Sequence, residues 1–337
     1  MGNAMKLTMN FTSPRFYVPA IFLGALALLP IYAMLAHQPF YVTLFSRIMI
    51  FALAALGLNF ILGYGGLVSF GHALYLGVGA YAVGILSFHG VTNGWLHLIA
   101  ALAIGILMAG LIGAVVLRTS GMTFIMITLA FAQMGYFFVV SLKSYGGDDG
   151  LTIDNRSAFG LFDLNSNTAL YYLILAFLAA VFFLFARLVE SRFGMVLRGV
   201  KSNERRMLAL GFPTFRYKLV AYIISAQVCV IAGFLLANLT KFASPSYMVW
   251  QVSGDLIVMA VLGGMGTLFG PVVGAVVYLV VEESLSSLSP GWFPKIEDVL
   301  NKHWLALMGI FVILMVLGFR KGFYGYLVER EARRAQP

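Results

Sequence analysis

The chain holds few groups able to act as bases, nucleophiles or metal ligands: five histidines, thirteen Asp and Glu residues and a single cysteine. Their spacing assembles no active site. A zinc-peptidase helix needs two histidines four residues apart with a glutamate beside the first, and His37, His72, His89, His97 and His303 supply no such pair. A phosphate-cradling loop leads from glycine directly into Lys-Ser or Lys-Thr, which neither Lys143-Ser144 nor Lys201-Ser202 does. A serine hydrolase would place its nucleophile in Gly-x-Ser-x-Gly, and Val68-Ser69-Phe70-Gly71 departs from that elbow. Cys229 alone excludes a disulfide framework and a cysteine metal cluster. What remains is a handful of isolated polar groups in apolar surroundings. Asn59, Ser69 and His72 surround the cluster Gly63-Tyr64-Gly65-Gly66, and Gln133 lies in a run otherwise almost free of strong polarity. Asp255 is the one carboxylate near the start of an apolar stretch.

The solvent around these groups is set by composition. Of 337 residues 61% are apolar and 10% charged, and the mean hydropathy is +0.92. A soluble domain is about 45–50% apolar and about 25% charged, so this chain cannot coat a water-facing globule of its size. It reads as an all-α, polytopic membrane protein with no room for a soluble catalytic domain. The run Phe16 to Ala36 extends about 32 Å as a helix, enough for a hydrocarbon core of about 30 Å. Met34-Leu35-Ala36 lacks the small residue that signal cleavage requires, so this helix is expected to be retained. The stretch from Ile48 to Leu86 is too long for one span and is read as two helices parted by the Gly63–Gly66 break. Further runs cover Trp95 to Leu117, Met122 to Leu142, Leu170 to Leu188, Leu219 to Leu239, Leu256 to Val281 and Trp304 to Phe319. The stretch between Lys241 and His303 must cross twice or not at all. Its Gly263-Gly264-Met265-Gly266 segment favours two short helices or a re-entrant loop, giving eight to ten spans in total.

The net charge of +9 is ambiguous until it is placed. Residues 192–218 hold seven Lys and Arg against Glu204, and the tail 320–337 is also basic; both are expected on the cytoplasmic side, where short loops rich in Lys and Arg stay. Residues 143–167 carry Asp148, Asp149, Asp154 and Asp163 and read as the longest outer loop. Counting crossings from there puts Arg118, the Gly63–Gly66 break, residues 1–15 and the C-terminus inside, with the membrane domain spanning 16–319. Basic residues at membrane edges on one side, without interleaved aromatics, argue against nucleic-acid binding.

At membrane depth polar side chains are costly, and they either mark a pathway or tie helices together. Glycine clusters likewise either break a helix beside a cavity or let helices pack closely. Both readings apply to Asn59, Ser69, His72 and Gln133, and to Gly63, Gly65, Gly66, Gly263, Gly264 and Gly266, which form the candidate translocation path. Asp255 near the outer interface suits helix capping better than proton relay, and Glu282 and Glu283 suit a solvated rim. The cytoplasmic segment is too regular for a linker: Val196, Val200, Met207, Leu208 and Leu210 recur at helical spacing and Gly211 precedes Pro213. Such a basic amphipathic segment lies on anionic lipid or docks into a partner's groove.

Four blocks, in order, resemble the permease subunits of branched-chain amino acid ABC transporters, specifically the M-type of their two membrane subunits. They are Ala55 to Ala73; Thr128-Leu129-Ala130-Phe131 with Gly146 to Leu151; Ser191 to Lys218; and Val261 to Pro271. The resemblance implies a multi-pass subunit of the bacterial inner membrane with no cofactor of its own. It makes 189–217 a coupling loop in which Glu204, Arg205, Arg206, Ala209 and Gly211 meet an ATPase. A common form of that motif has alanines where this chain has Arg206 and Met207. The implied partners are a second, similar permease, two ABC ATPase subunits that use the ATP, an extracytoplasmic substrate-binding protein and the lipid bilayer. The implied function is import of branched-chain or other hydrophobic amino acids by alternating access; related permeases carry urea, short amides or aromatic acids. The residues alone also admit a stand-alone ion-coupled carrier built on Asp255 and the glycine-broken helices.

Overall fold

The computed structural model describes residues 14–35, 38–160, 164–286, 304–318 and 322–326. Most of residues 1–15, most of the tail 320–337 and the segment 287–303 therefore lie outside the described residues. The helices are α1 Pro14–Leu35, α2 Pro39–Asn59, α3 His72–Phe88, α4 Gly94–Val116, α5 Met122–Ser141 and α6 Asn167–Glu190. They continue as α7 Arg192–Ala209, α8 Thr214–Thr240, α9 Trp250–Gly263, α10 Gly270–Ser286 and α11 Trp304–Gly318. Among the described residues six segments are long and apolar enough to cross a membrane, and Pro19–Leu35, His72–Phe88 and Trp250–Gly263 are shorter apolar helices. The expected spans thus divide into full-length helices and short ones, and of the short ones His72–Phe88 and Trp250–Gly263 adjoin the glycine breaks. α2 runs into a π-turn at Phe60–Tyr64 before α3 begins at His72, as the glycine cluster predicted. The uncertain stretch after Lys241 is a pair of short helices, α9 and α10, packed antiparallel about a turn at residues 264–269.

The bundle is built around two helices. The apolar window of the segment containing α2 is 78% buried and that of α8 67%, against 28% for α4 and 22% for α5, whose apolar outer faces are left for lipid. α8 crosses α3 with backbones nearly touching. A side chain at Gly79 would strike the Val230 carbonyl, and one at Gly233 would strike the Leu76 carbonyl. Lipid gives helices no hydrophobic reason to associate, so close packing through small residues carries the contact.

Each end of the bundle is tied by its loops. At one end Leu151–Thr152 (β1) pairs antiparallel with Phe242–Ala243 (β2), joining the two loops that the acidic pattern and the helix count placed on one side. Buried Arg156 pins the same region: its guanidinium donates to the carbonyls of Leu164 at 2.9 Å and Asn165 at 3.2 Å and to Asn167 Oδ1 at 2.8 Å. Burial lowers its pKa. At the other, basic end, Gly65–Val68, Thr119–Gly121 and α7 converge.

The α3–α8 crossing yields a direct test. Gly233→Val should destabilise the bundle by about 1–3 kcal/mol through overpacking, whereas Gly24→Val, where nothing lies within 4 Å, should leave the detergent unfolding midpoint unchanged.

Candidate functional site

The site forms where the two glycine breaks meet. α2 cannot continue past Tyr64: the Ile61 carbonyl accepts from both Gly65 and Leu67 amides, each at 3.0 Å, and Gly66 turns the chain at φ +70°. That left-handed backbone suits glycine because it has no Cβ to clash. The second break lies against the first. A Cβ on Gly63 would sit 2.6 Å from both Cα and N of Gly266, so two backbones occupy the space of one side chain. Asn59, one turn before Gly63, clamps them: its Oδ1 accepts from the Gly266 amide at 3.0 Å and its Nδ2 donates to the Thr267 carbonyl at 2.9 Å. Thr267 Oγ1 donates to the Gly264 carbonyl at 2.7 Å and accepts from the Gly270 amide at 3.1 Å, closing the turn that starts α10.

α7 lies against this junction. Lys201 Nζ donates to the Gly63 carbonyl at 2.6 Å. Glu204 turns inward rather than outward: its carboxylate meets Lys218 Nζ at 2.6 Å and accepts from Thr214 Oγ1 at 3.0 Å. Gly65, Gly66, Ser120, Lys201, Glu204 and Lys218 line a cavity of about 210 Å³. α7 is kinked at Asn203, whose side chain caps the following turn by accepting from the Arg206 amide at 2.9 Å. Before the kink Val196, Leu197 and Val200 are buried; beyond it Arg205, Arg206, Leu208, Ala209, Leu210, Gly211 and Phe212 are exposed. The apolar residues at helical spacing therefore fall into two sets, because the kink turns the second away from the bundle.

The structure brings Asn59, Gly63, Gly65, Gly66, Gly263, Gly264 and Gly266 into one junction and sets Ser69, His72 and Gln133 apart from it. His72 is completely buried. Its Nε2 lies 2.9 Å from Ser225 Oγ, which itself donates to the Gly57 carbonyl at 2.6 Å, so Nε2 carries the proton. Nδ1 then accepts from Ser69 Oγ at 2.9 Å. Every polar atom of the ring is satisfied, and the network ties α3 to α8. Gln133 is half-buried on α5. Asp255, expected to cap a helix, instead accepts from Tyr278 Oη at 2.7 Å, because it lies a turn inside α9 and faces α10. Lys201, Lys218 and Thr267 are site residues that sequence reasoning passed over. The two lysines were visible only as positive charge, and Thr267 only as part of the second glycine block.

These elements fall within one family match. The model of the branched-chain amino acid transport system permease component covers residues 40–317, taking in both breaks and α7. The chain belongs to this permease family. It is similar to the high-affinity branched-chain amino acid transport system permease protein LivM of Salmonella typhimurium, at 25% identity over 93% of this chain and 78% of that protein. The LivM-type permease of Methanocaldococcus jannaschii is 26% identical over 80% of this chain and 87% of its own length. LivH of Escherichia coli is 24% identical over 70% and 82%. No solved structure matches the chain. With six helices among the described residues long and apolar enough to cross a bilayer, this permease is a multi-pass membrane protein.

In this permease the Asn59 clamp should hold the second break closed. Asn59→Ala removes both bonds and leaves the Gly266 amide without its partner, at a cost of about 1–3 kcal/mol. Hydrogen exchange over residues 262–270 should accelerate about tenfold or more in that variant, while exchange in the β1–β2 loops stays unchanged.

Proposed function

We propose that the chain is the membrane-spanning permease subunit of an ABC importer in the bacterial inner membrane, moving branched-chain or other hydrophobic amino acids by alternating access. The observation that carries this reading is the surface beyond the Asn203 kink. Leu208 and Leu210 are 54% and 66% exposed and stand beside Arg205 and Arg206, on a segment that the residues before the kink hold firmly against the bundle. A separate ATPase is the partner this surface suits, with apolar anchors and arginines supplying the contact. Glu204 is committed to Lys218, so the docking face runs through Arg205, Arg206 and residues 208–212, and Glu204 fixes the angle at which that face is presented. Gly211, at φ +84°, turns the chain from this face back into α8.

The names of the relatives support the substrate class and a second permease, since LivM and LivH are both permease proteins of branched-chain amino acid systems. Two ATPases and an extracytoplasmic binding protein complete the assembly, and the chain itself hydrolyses no ATP. Asp255, the carboxylate that suggested an ion-coupled carrier, is engaged by Tyr278, which favours the ATP-driven reading.

Expressed with its genomic neighbours, the chain should co-purify with an ATPase and support uptake of leucine into ATP-loaded liposomes in the presence of the binding protein. The combined Arg205→Glu, Arg206→Glu, Leu208→Asp variant should lower ATPase recovery by about tenfold or more. Uptake by the isolated chain in ATP-free liposomes under a proton gradient, or failure of any ATPase to co-purify, would overturn the reading.

A further inference from the structure

We infer that Lys201 is the strut by which movement of α7 reaches both glycine breaks, an inference that rests on α7 being the ATPase-facing segment. In an uninterrupted helix the Gly63 carbonyl would accept from the amide four residues on, that of Leu67. Here the Leu67 amide turns back to Ile61, and Lys201 Nζ occupies the Gly63 carbonyl at 2.6 Å instead. The bond is favoured twice over, by its ionised donor and by the position of that charge at the carboxyl end of a helix. Its geometry is enforced by Gly66, where an added Cβ would sit 3.0 Å from the Lys201 Cγ, so the lysine stem lies over bare backbone.

On its other side Gly63 abuts Gly266 directly, and Asn59 fastens Gly266 and Thr267 to the same turn of α2. A displacement of the Gly63 carbonyl therefore moves both breaks together. Lys201 and Glu204 stand on either side of the Asn203 kink, and their contacts differ in kind. The Lys218 side chain that holds Glu204 is only 9% exposed, so parting that pair would strand a buried charge. Lys201 is exposed, so its ammonium can exchange the carbonyl for water without being stranded as a buried charge. The Glu204–Lys218 pair is the pivot of α7, and the Lys201 contact is the point that travels.

The test uses the complete transporter, with ATPases, partner permease and binding protein, reconstituted in liposomes, and reads ATP hydrolysis and leucine uptake separately. Lys201→Met should assemble and hydrolyse ATP within about twofold of the parent, while uptake per ATP falls about tenfold, the worth of a charge-assisted hydrogen bond. Lys201→Arg, which keeps the donor, should retain at least about half of the coupling. Nitroxides at Ser202→Cys and Met265→Cys, with buried Cys229 left in place, should report a distance change on vanadate trapping that Lys201→Met abolishes. Unchanged uptake per ATP in Lys201→Met, loss of assembly in that variant, or no distance change in the parent would overturn the strut. Absence of ATP-driven uptake by the parent would instead overturn the functional reading itself.

Discussion

The contact between Gly63 and Gly266 is the constraint from which the rest of the basic end follows. Backbone freed where a helix is interrupted within a packed bundle must find hydrogen-bond partners inside the protein. Two interrupted helices in one chain present that problem twice, and this permease answers both with one junction. The breaks approach until no side chain fits between them, Asn59 takes an amide and a carbonyl from the second, and Lys201 takes a carbonyl from the first. Either break alone would leave the other's polar groups unpaired. The short lengths of α9 and α10 are consistent with this arrangement, since their turn must end at the depth where α2 breaks.

The same junction explains the unequal roles of the surrounding helices. α2 and α8 are buried on most sides because one carries the first break and the other packs against α3 through paired glycines. α4 and α5 pack through narrow stripes, in α5 Phe124, Thr128, Ala132 and Val139, and leave their other faces apolar. Loops fix the opposite end independently, through the β1–β2 ribbon and Arg156. The bundle thus has one end tied by loop-to-loop pairing and another where a polar helix rests directly on interrupted backbone.

Much of this was legible in the residues. The length of apolar runs set the helices, and the glycine clusters located both interruptions. What could not be seen was which groups face each other. Gly63 and Gly266 lie far apart in sequence, and nothing in their types says that one occupies the space the other's side chain would need. Lys201 counted as loop charge because a lysine bonded to a carbonyl and a lysine in water look the same in a sequence. Glu204 read as an outward contact until Lys218, a turn into the next helix, claimed its carboxylate. Leu208 and Leu210 read as apolar positions of an amphipathic segment, but the Asn203 kink that parts them from buried Val196 and Val200 left no mark in the spacing.

A polar group that is already paired has little to offer a passing solute, because engaging it means first breaking a buried bond. That argument reorders the residues once grouped as a pathway. His72 has both nitrogens engaged and Ser69 is held by it; Asn59 spends its amide on Gly266 and Thr267. These residues hold helices in place. Gln133 differs: half-buried on α5, it makes no hydrogen bond among the described residues, and α5 leaves most of its surface uncovered. Of the polar side chains that sequence placed near the path, it alone makes no hydrogen bond among the described residues; Gln227 on α8, which sequence did not single out, likewise has both amide atoms buried without a partner there, so the spare polarity lies on α5 and α8 and not in the His72 network.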